Sequence, residues 1–152
     1  MKKNLLYAII VVIAGACSAK KTGETTSKGE EVSEPVESKV APEVYFILPQ
    51  NGDTVSSPVK VTMGVKGMEV EPAGQVNEGK GHHHIIVDGT FIKKGEIVPA
   101  DSTHIHYGKG QTEVEIELSP GNHTLTMQFA DGVHASYGES MSSTISIVVA
   151  DE

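Results

Sequence analysis

Three features of residues 43–152 predict an all-β fold. Apolar and polar residues alternate with period two in segment after segment, helical periodicity is missing, and clusters of Gly, Pro, Asn, Asp and Ser separate the segments. About seven short strands spaced in this way fit an immunoglobulin-like antiparallel β-sandwich, with a small open barrel as the alternative closure. The Cys…Trp…Cys signature of antibody domains is absent, so the expectation is architectural only. Aromatic residues make up 5% of the chain and Trp is missing, so the core has to come from Val, Ile, Leu and Met.

The 152-residue chain starts with Lys2 and Lys3, an uncharged apolar run over residues 5–13, then Ala14-Gly15-Ala16 and the single cysteine, Cys17. A basic start, a short apolar stretch and small residues before a cleavage point describe a secretory signal peptide over residues 1–16. The apolar run falls short of the ~20 residues that a membrane-spanning helix needs. With Cys17 directly after Ala-Gly-Ala, the segment resembles a bacterial lipoprotein signal, although Ala14 stands where Leu is usual. That resemblance implies cleavage before Cys17, lipid on its sulfur, and attachment to a membrane outside the cytoplasm, in the periplasm or on the cell surface. Several acyl chains hold a protein on a bilayer where one chain alone is marginal. Residues 17–42 are rich in Lys, Glu, Ser, Thr, Gly and Pro, too polar to offset the entropy of ordering, and are expected to form a disordered tether. A coil of ~25 residues spans on the order of 25–30 Å.

The strands follow in order. Residues 44–48 form a first strand, stopped by Pro49 and the turn Asn51-Gly52-Asp53. Val59, Val61, Met63 and Val65 alternate with Lys60, Thr62, Gly64 and Lys66. Residues 82–87 form another strand, closed by Asp88-Gly89, a hairpin-type turn signal. Val114, Ile116 and Leu118 alternate with Glu113, Glu115 and Glu117, whose carboxylates then share a solvent face. Ser119-Pro120-Gly121-Asn122 turns the chain into Leu125, Met127 and Phe129, and Ile145, Ile147 and Val149 end the pattern.

All seven histidines lie between His82 and His134, and two His-x-His units stand out: His82-His83-His84 and His104-Ile105-His106. On a strand, residues i and i+2 face the same side, ~6.5–7 Å apart, and neighbouring strands are ~4.8 Å apart. If the two segments pair, His82, His84, His104 and His106 point into one space and offer four imidazoles to a single ion. Imidazole suits Zn, Cu, Ni and Fe, with Cu or Zn the ions expected here, and four neutral donors satisfy a tetrahedral Zn site. A lone His-x-His on a wet strand does nothing but meet water, so the weight rests on the pair of units. His83 faces the other way with Ile85 and Val87, as a half-buried histidine with its hydrogen bonds satisfied. His123 is structural by parity with Leu125, and His134 sits in a loop, read as solvated, with reach to a site at the end of the sandwich as the alternative. Met68 and Met141 in loops are a thin copper signal, whereas Met63 and Met127 follow core parity. Glu113 is the carboxylate placed to support an imidazole N–H.

Charge and motif content narrow the function. Twelve basic residues, all Lys, against twenty acids give a net charge of −8, and without Arg the chain lacks the basic face of a nucleic-acid binder. Residues 43–152 hold 6 Lys and 15 acids, a net −9, which does not favour an anionic lipid surface. A single Cys cannot form an internal disulfide. Lys109 between two glycines lacks the rest of a phosphate loop, and no Ser has a nucleophile-elbow context, so covalent catalysis finds no support.

The joint motifs Gly-His-His-His-Ile-Ile-Val-Asp-Gly (residues 81–89), His-Ile-His-Tyr-Gly-Lys-Gly-Gln-Thr-Glu (104–113) and the stretch from Ser119 to Asp131 resemble an uncharacterised domain family of bacterial secreted proteins and lipoproteins. The resemblance spans residues 44–149. It implies one compact β domain in which the histidine segments act together, and it carries no activity. Three functions remain open on the sequence: a metal-binding lipoprotein for Cu or Zn, a metalloenzyme, and an adhesion or assembly module with decorative histidines.

Overall fold

The computed structural model describes residues 40–151. The expected signal segment 1–16, Cys17 and all but the end of the expected tether 17–42 lie outside the described residues. Among the described residues nine strands follow one another: β1 (Glu43–Leu48), β2 (Thr54–Val55), β3 (Val59–Lys66), β4 (Glu69–Val70), β5 (Lys80–Val87), β6 (His104–His106), β7 (Glu113–Ile116), β8 (Gly121–Ala130) and β9 (Ser142–Val149). One 3₁₀ turn, Glu139–Met141, precedes β9. The longer strands occupy the alternating segments of the sequence, and the two-residue β2 and β4 are too short to leave a periodic signature.

Two sheets form the predicted sandwich. One has the order β1-β3-β7, and the other runs β2-β9-β8-β5-β4, with β6 also paired to β5. Val44 and Phe46 of β1, Val61 and Met63 of β3 and Ile116 of β7 pack against Ile85, Leu125, Met127, Phe129, Ile145 and Ile147 of the larger sheet in a single core. Val61, Ile85, Leu125, Met127 and Phe129 lose all access to solvent. Aliphatic side chains interlocked this closely contribute roughly 1.5–3 kcal/mol each by burial, which explains how a chain with few aromatics holds two sheets together. Glu113, Glu115 and Glu117 are exposed, as the alternation requires.

One local expectation is corrected. Asp88-Gly89 does not close a tight hairpin, because the antiparallel partner of β5 returns only at β6, with Ile85 opposite Ile105 and His84 opposite His106. The intervening residues 88–103 instead lie over the outer face of the larger sheet. They are held there by Thr126 Oγ1 donating to the Gly89 carbonyl at 2.8 Å and by the Ile92 N–H donating to Gln128 Oε1 at 3.0 Å. Asp88 is recruited elsewhere: its carboxylate accepts the Thr124 N–H at 2.8 Å and holds His123 at 2.9 Å. A side chain with long-range partners of this kind overrides the local turn propensity. The outer face of the larger sheet thereby becomes a second, partly dry layer.

Candidate metal centre

β5 carries His82 and His84 onto that outer face, while His83 and Ile85 point into the sandwich. Both outer rings are buried, His82 at 0% and His84 at 1% exposure. Their Nε2 atoms stand 3.0 Å apart. Strand pairing sets His106 of β6 directly opposite His84, and the two rings stack with centroids 5.0 Å apart. One ring nitrogen from each of His82, His84 and His106 falls within 4.8 Å of the other two, close enough for the three to hold one metal ion. His82 and His84 are interior, whereas His106 is exposed, so the group is open on one side.

On that open side stands His134, from the loop after β8. The loop is delivered by register: Ala130, the last residue of β8, pairs with His82. His134 Nε2 lies 3.1 Å from His106 Nε2. Gly132 lets the loop pack closely, since a Cβ there would collide with the Gln75 carbonyl. A second glycine shapes the other rim. A Cβ on Gly108 would occupy the place of Nε2 and Cε1 of His106, so this ring turns inward only because residue 108 has no side chain.

His104 follows a different course. Register puts it opposite Ile86, one strand repeat beyond His84. Its ring is engaged by Asp101, whose Oδ1 receives His104 Nδ1 at 2.8 Å together with the Thr103 and His104 backbone N–H groups. Of the four histidines expected to converge, the fold therefore gathers His82, His84 and His106, and His104 stands apart. His134, expected in a solvated loop, meets the cluster instead. Glu113 lies on the three-stranded sheet beside Lys60, 3.9 Å away, and gives the imidazoles no support. Met141 is buried in the core and Met68 packs against it, so both methionines act as filler.

The electrostatics suit a cation-binding set. Burial, reinforced by His106 and His134 nearby, lowers the pKa of His82 to about 4. Burial again comes first for His84, with its imidazole neighbours adding to it, and lowers its pKa to about 3. His106 is lowered by burial and by His134. A metal takes the neutral imidazole, and here the fold keeps the rings neutral without help. The Nδ1 atoms of His82 and His84 are buried with no hydrogen-bond partner among the described residues. Buried polar groups with so few bonds are costly, on the order of 1–3 kcal/mol each.

His83 departs from expectation in its surroundings. It is fully buried rather than half-buried, its ring meets Phe129 edge-on at 5.0 Å, and neither nitrogen has a partner among the described residues. His123 sits at the far end of β8 with both nitrogens engaged, Nδ1 with Asp88 and Nε2 with the Ser119 carbonyl, each at 2.9 Å. That is the structural role its parity suggested, and the Asp88 hydrogen bond raises its pKa.

Fold and site together define an all-β sandwich with an imidazole cluster on the outer face of its larger sheet. Residues 61–150, more than half of the chain, match the family described as a domain of unknown function, DUF4399, and the chain belongs to that family. No curated protein and no solved structure matches it.

Proposed function

We propose that this protein is an extracytoplasmic lipoprotein, held on a membrane by lipid at Cys17, whose histidine cluster binds one Cu or Zn ion. The observation that carries the metal reading is the approach of His82, His84 and His106, with ligand nitrogens within 4.8 Å of one another. The donor set fits the ion class: imidazole nitrogens only, neutral at physiological pH, with no thiolate or carboxylate among them. The lipoprotein reading is supported by the pattern of residues 1–17 alone, a basic start, an apolar run and Ala-Gly-Ala-Cys. A cation site on a tethered, acidic domain suits metal storage, delivery or sensing outside the cytoplasm.

The metal reading is tested by titration calorimetry of the tag-free chain with Zn(II) and Cu(II). One ion per chain is expected, and failure to bind either ion, with Cu(I) under reducing conditions failing too, overturns it. The tether is tested by Cys17→Ser, which is expected to release the protein from the membrane fraction or leave it uncleaved. An unmodified thiol at Cys17 in membrane-bound native material overturns that part.

A further inference from the structure

The ring of the loop residue His134 lies among the three strand histidines, with its Nε2 3.1 Å from His106 Nε2. Its ring centroid lies 4.6 Å from that of His106, 5.0 Å from His82 and 5.8 Å from His84. The loop that presents it is braced on several sides. Asp131 Oδ1 accepts the N–H groups of Val133 at 3.0 Å and Ala135 at 2.9 Å. The His134 N–H donates to the Asp131 carbonyl at 2.9 Å, and the His134 carbonyl accepts the Val98 N–H at 3.0 Å. The residue is held at φ 72°, a left-handed conformation that a side chain rarely adopts without a compensating gain.

We infer that His134 is the fourth ligand, so that a loop residue closes a four-imidazole site on its open side. This rests on the metal-binding reading and adds to it the ligand number and the identity of the fourth ligand. The two nearest nitrogen pairs, His82 with His84 and His106 with His134, are spaced almost equally, at 3.0 and 3.1 Å. Two nitrogens each about 2.0–2.1 Å from one ion, at bond angles near 90–110°, stand about 2.9–3.4 Å apart. His106, which shares the 4.8 Å nitrogen group with His82 and His84, links the two pairs, and together they supply four borderline nitrogen donors, a set that suits divalent copper or zinc. Two ligands are interior and two lie at the surface, so the ion enters and leaves past His106 and His134 while β5 stays in place.

The experiment uses the full tag-free chain with Cu(II) or Zn(II) salts, following affinity by calorimetry and the Cu(II) coordination sphere by electron paramagnetic resonance. His134→Ala is expected to weaken binding at least about tenfold, since even groups that only orient ligands are worth 10–100-fold. It should also change the Cu(II) spectrum while the metal-free unfolding midpoint stays put. His134→Gly with added imidazole is expected to regain the wild-type spectrum, which a merely structural role would not produce. His104→Ala is expected to change neither affinity nor spectrum. If His134→Ala matches the wild type in both affinity and spectrum, His134 is not a ligand and the three-histidine reading stands. If the wild-type chain binds neither ion, the metal reading fails and the fourth ligand falls with it.

Discussion

The two faces of β5 differ in what burial does to a histidine. His82 and His84 on the outer face and His83 on the inner face are all removed from solvent, at 0%, 1% and 0% exposure. Burial lowers all three pKa values, to about 4, about 3 and about 4. Only the outer pair meets other nitrogens. His83 packs on Phe129, and Tyr107, which directly follows β6 and whose N–H donates to the His83 carbonyl at 3.1 Å, has a buried hydroxyl without a partner among the described residues and a pKa pushed by burial up to about 12. A depressed pKa thus reports desolvation on either face. What distinguishes a candidate site is the convergence of lone pairs, which the inner face lacks.

An inner histidine that took part in metal binding would make the two faces of β5 equivalent. Replacing His82 and His84 together by Ala is expected to remove binding below detection in calorimetry, and His83→Leu is expected to leave the affinity within about twofold, less than the 10–100-fold that supporting groups carry. Comparable losses in the two variants would erase the distinction between the faces. Gly108→Ala sharpens it from the rim. The added methyl displaces the end of the exposed His106 ring, so affinity should fall about tenfold or more while stability changes by less than ~1 kcal/mol. Unchanged affinity in that variant would mean that His106 reaches the ion from another rotamer.

Acidity separates the cluster from His123. His82, His83 and His84 are neutral in the fold down to about pH 3–4, whereas in the unfolded chain they take up protons near ~6.5. Their contribution to stability is therefore full above ~6.5 and is lost as the pH falls through the window toward 4 and then 3. His123 runs the opposite way, because its raised pKa makes its contribution full below ~6.5 and lost as the pH rises through the folded value. Urea midpoints of the metal-free chain should fall from about pH 7 to about pH 4. His123→Ala should cost about 1 kcal/mol at about pH 5.5 and less at about pH 8. A penalty for His123→Ala that grows with pH would contradict the Asp88 pairing. The smallest effect belongs to His83→Leu, where removing two unpartnered nitrogens should leave stability unchanged or raise it by about 1 kcal/mol; a loss of several kcal/mol would show that the imidazole has a partner after all.

Much of the fold was legible because side-chain direction on a strand depends only on parity. Val61, Met63, Ile116, Leu125, Met127 and Ile147 could be assigned to the core from alternation, and the opposite orientations of His83 and its two neighbours followed from the same rule. The short β2, β4 and β6 offer too few residues for a period to register, and the turn signal at Asp88-Gly89 was outweighed by long-range partners of the Asp88 carboxylate.

Of the site, sequence alone determined that the histidines of each His-x-His unit share a face, since that is a local property of extended backbone. Which of them meet was decided by tertiary structure. Register between β5 and β6 is set across the sixteen-residue excursion from Asp88 to Thr103, by packing that no local pattern encodes, and it puts His106 rather than His104 opposite His84. His134 joins through the end of β8, where Ala130 pairs with His82. A slip of two residues keeps every side chain on its face and every apolar group buried or exposed as before, so alternation cannot distinguish His104 from His106. The distinction comes from particular contacts, Asp101 holding one ring outside and the bare backbone of Gly108 admitting the other.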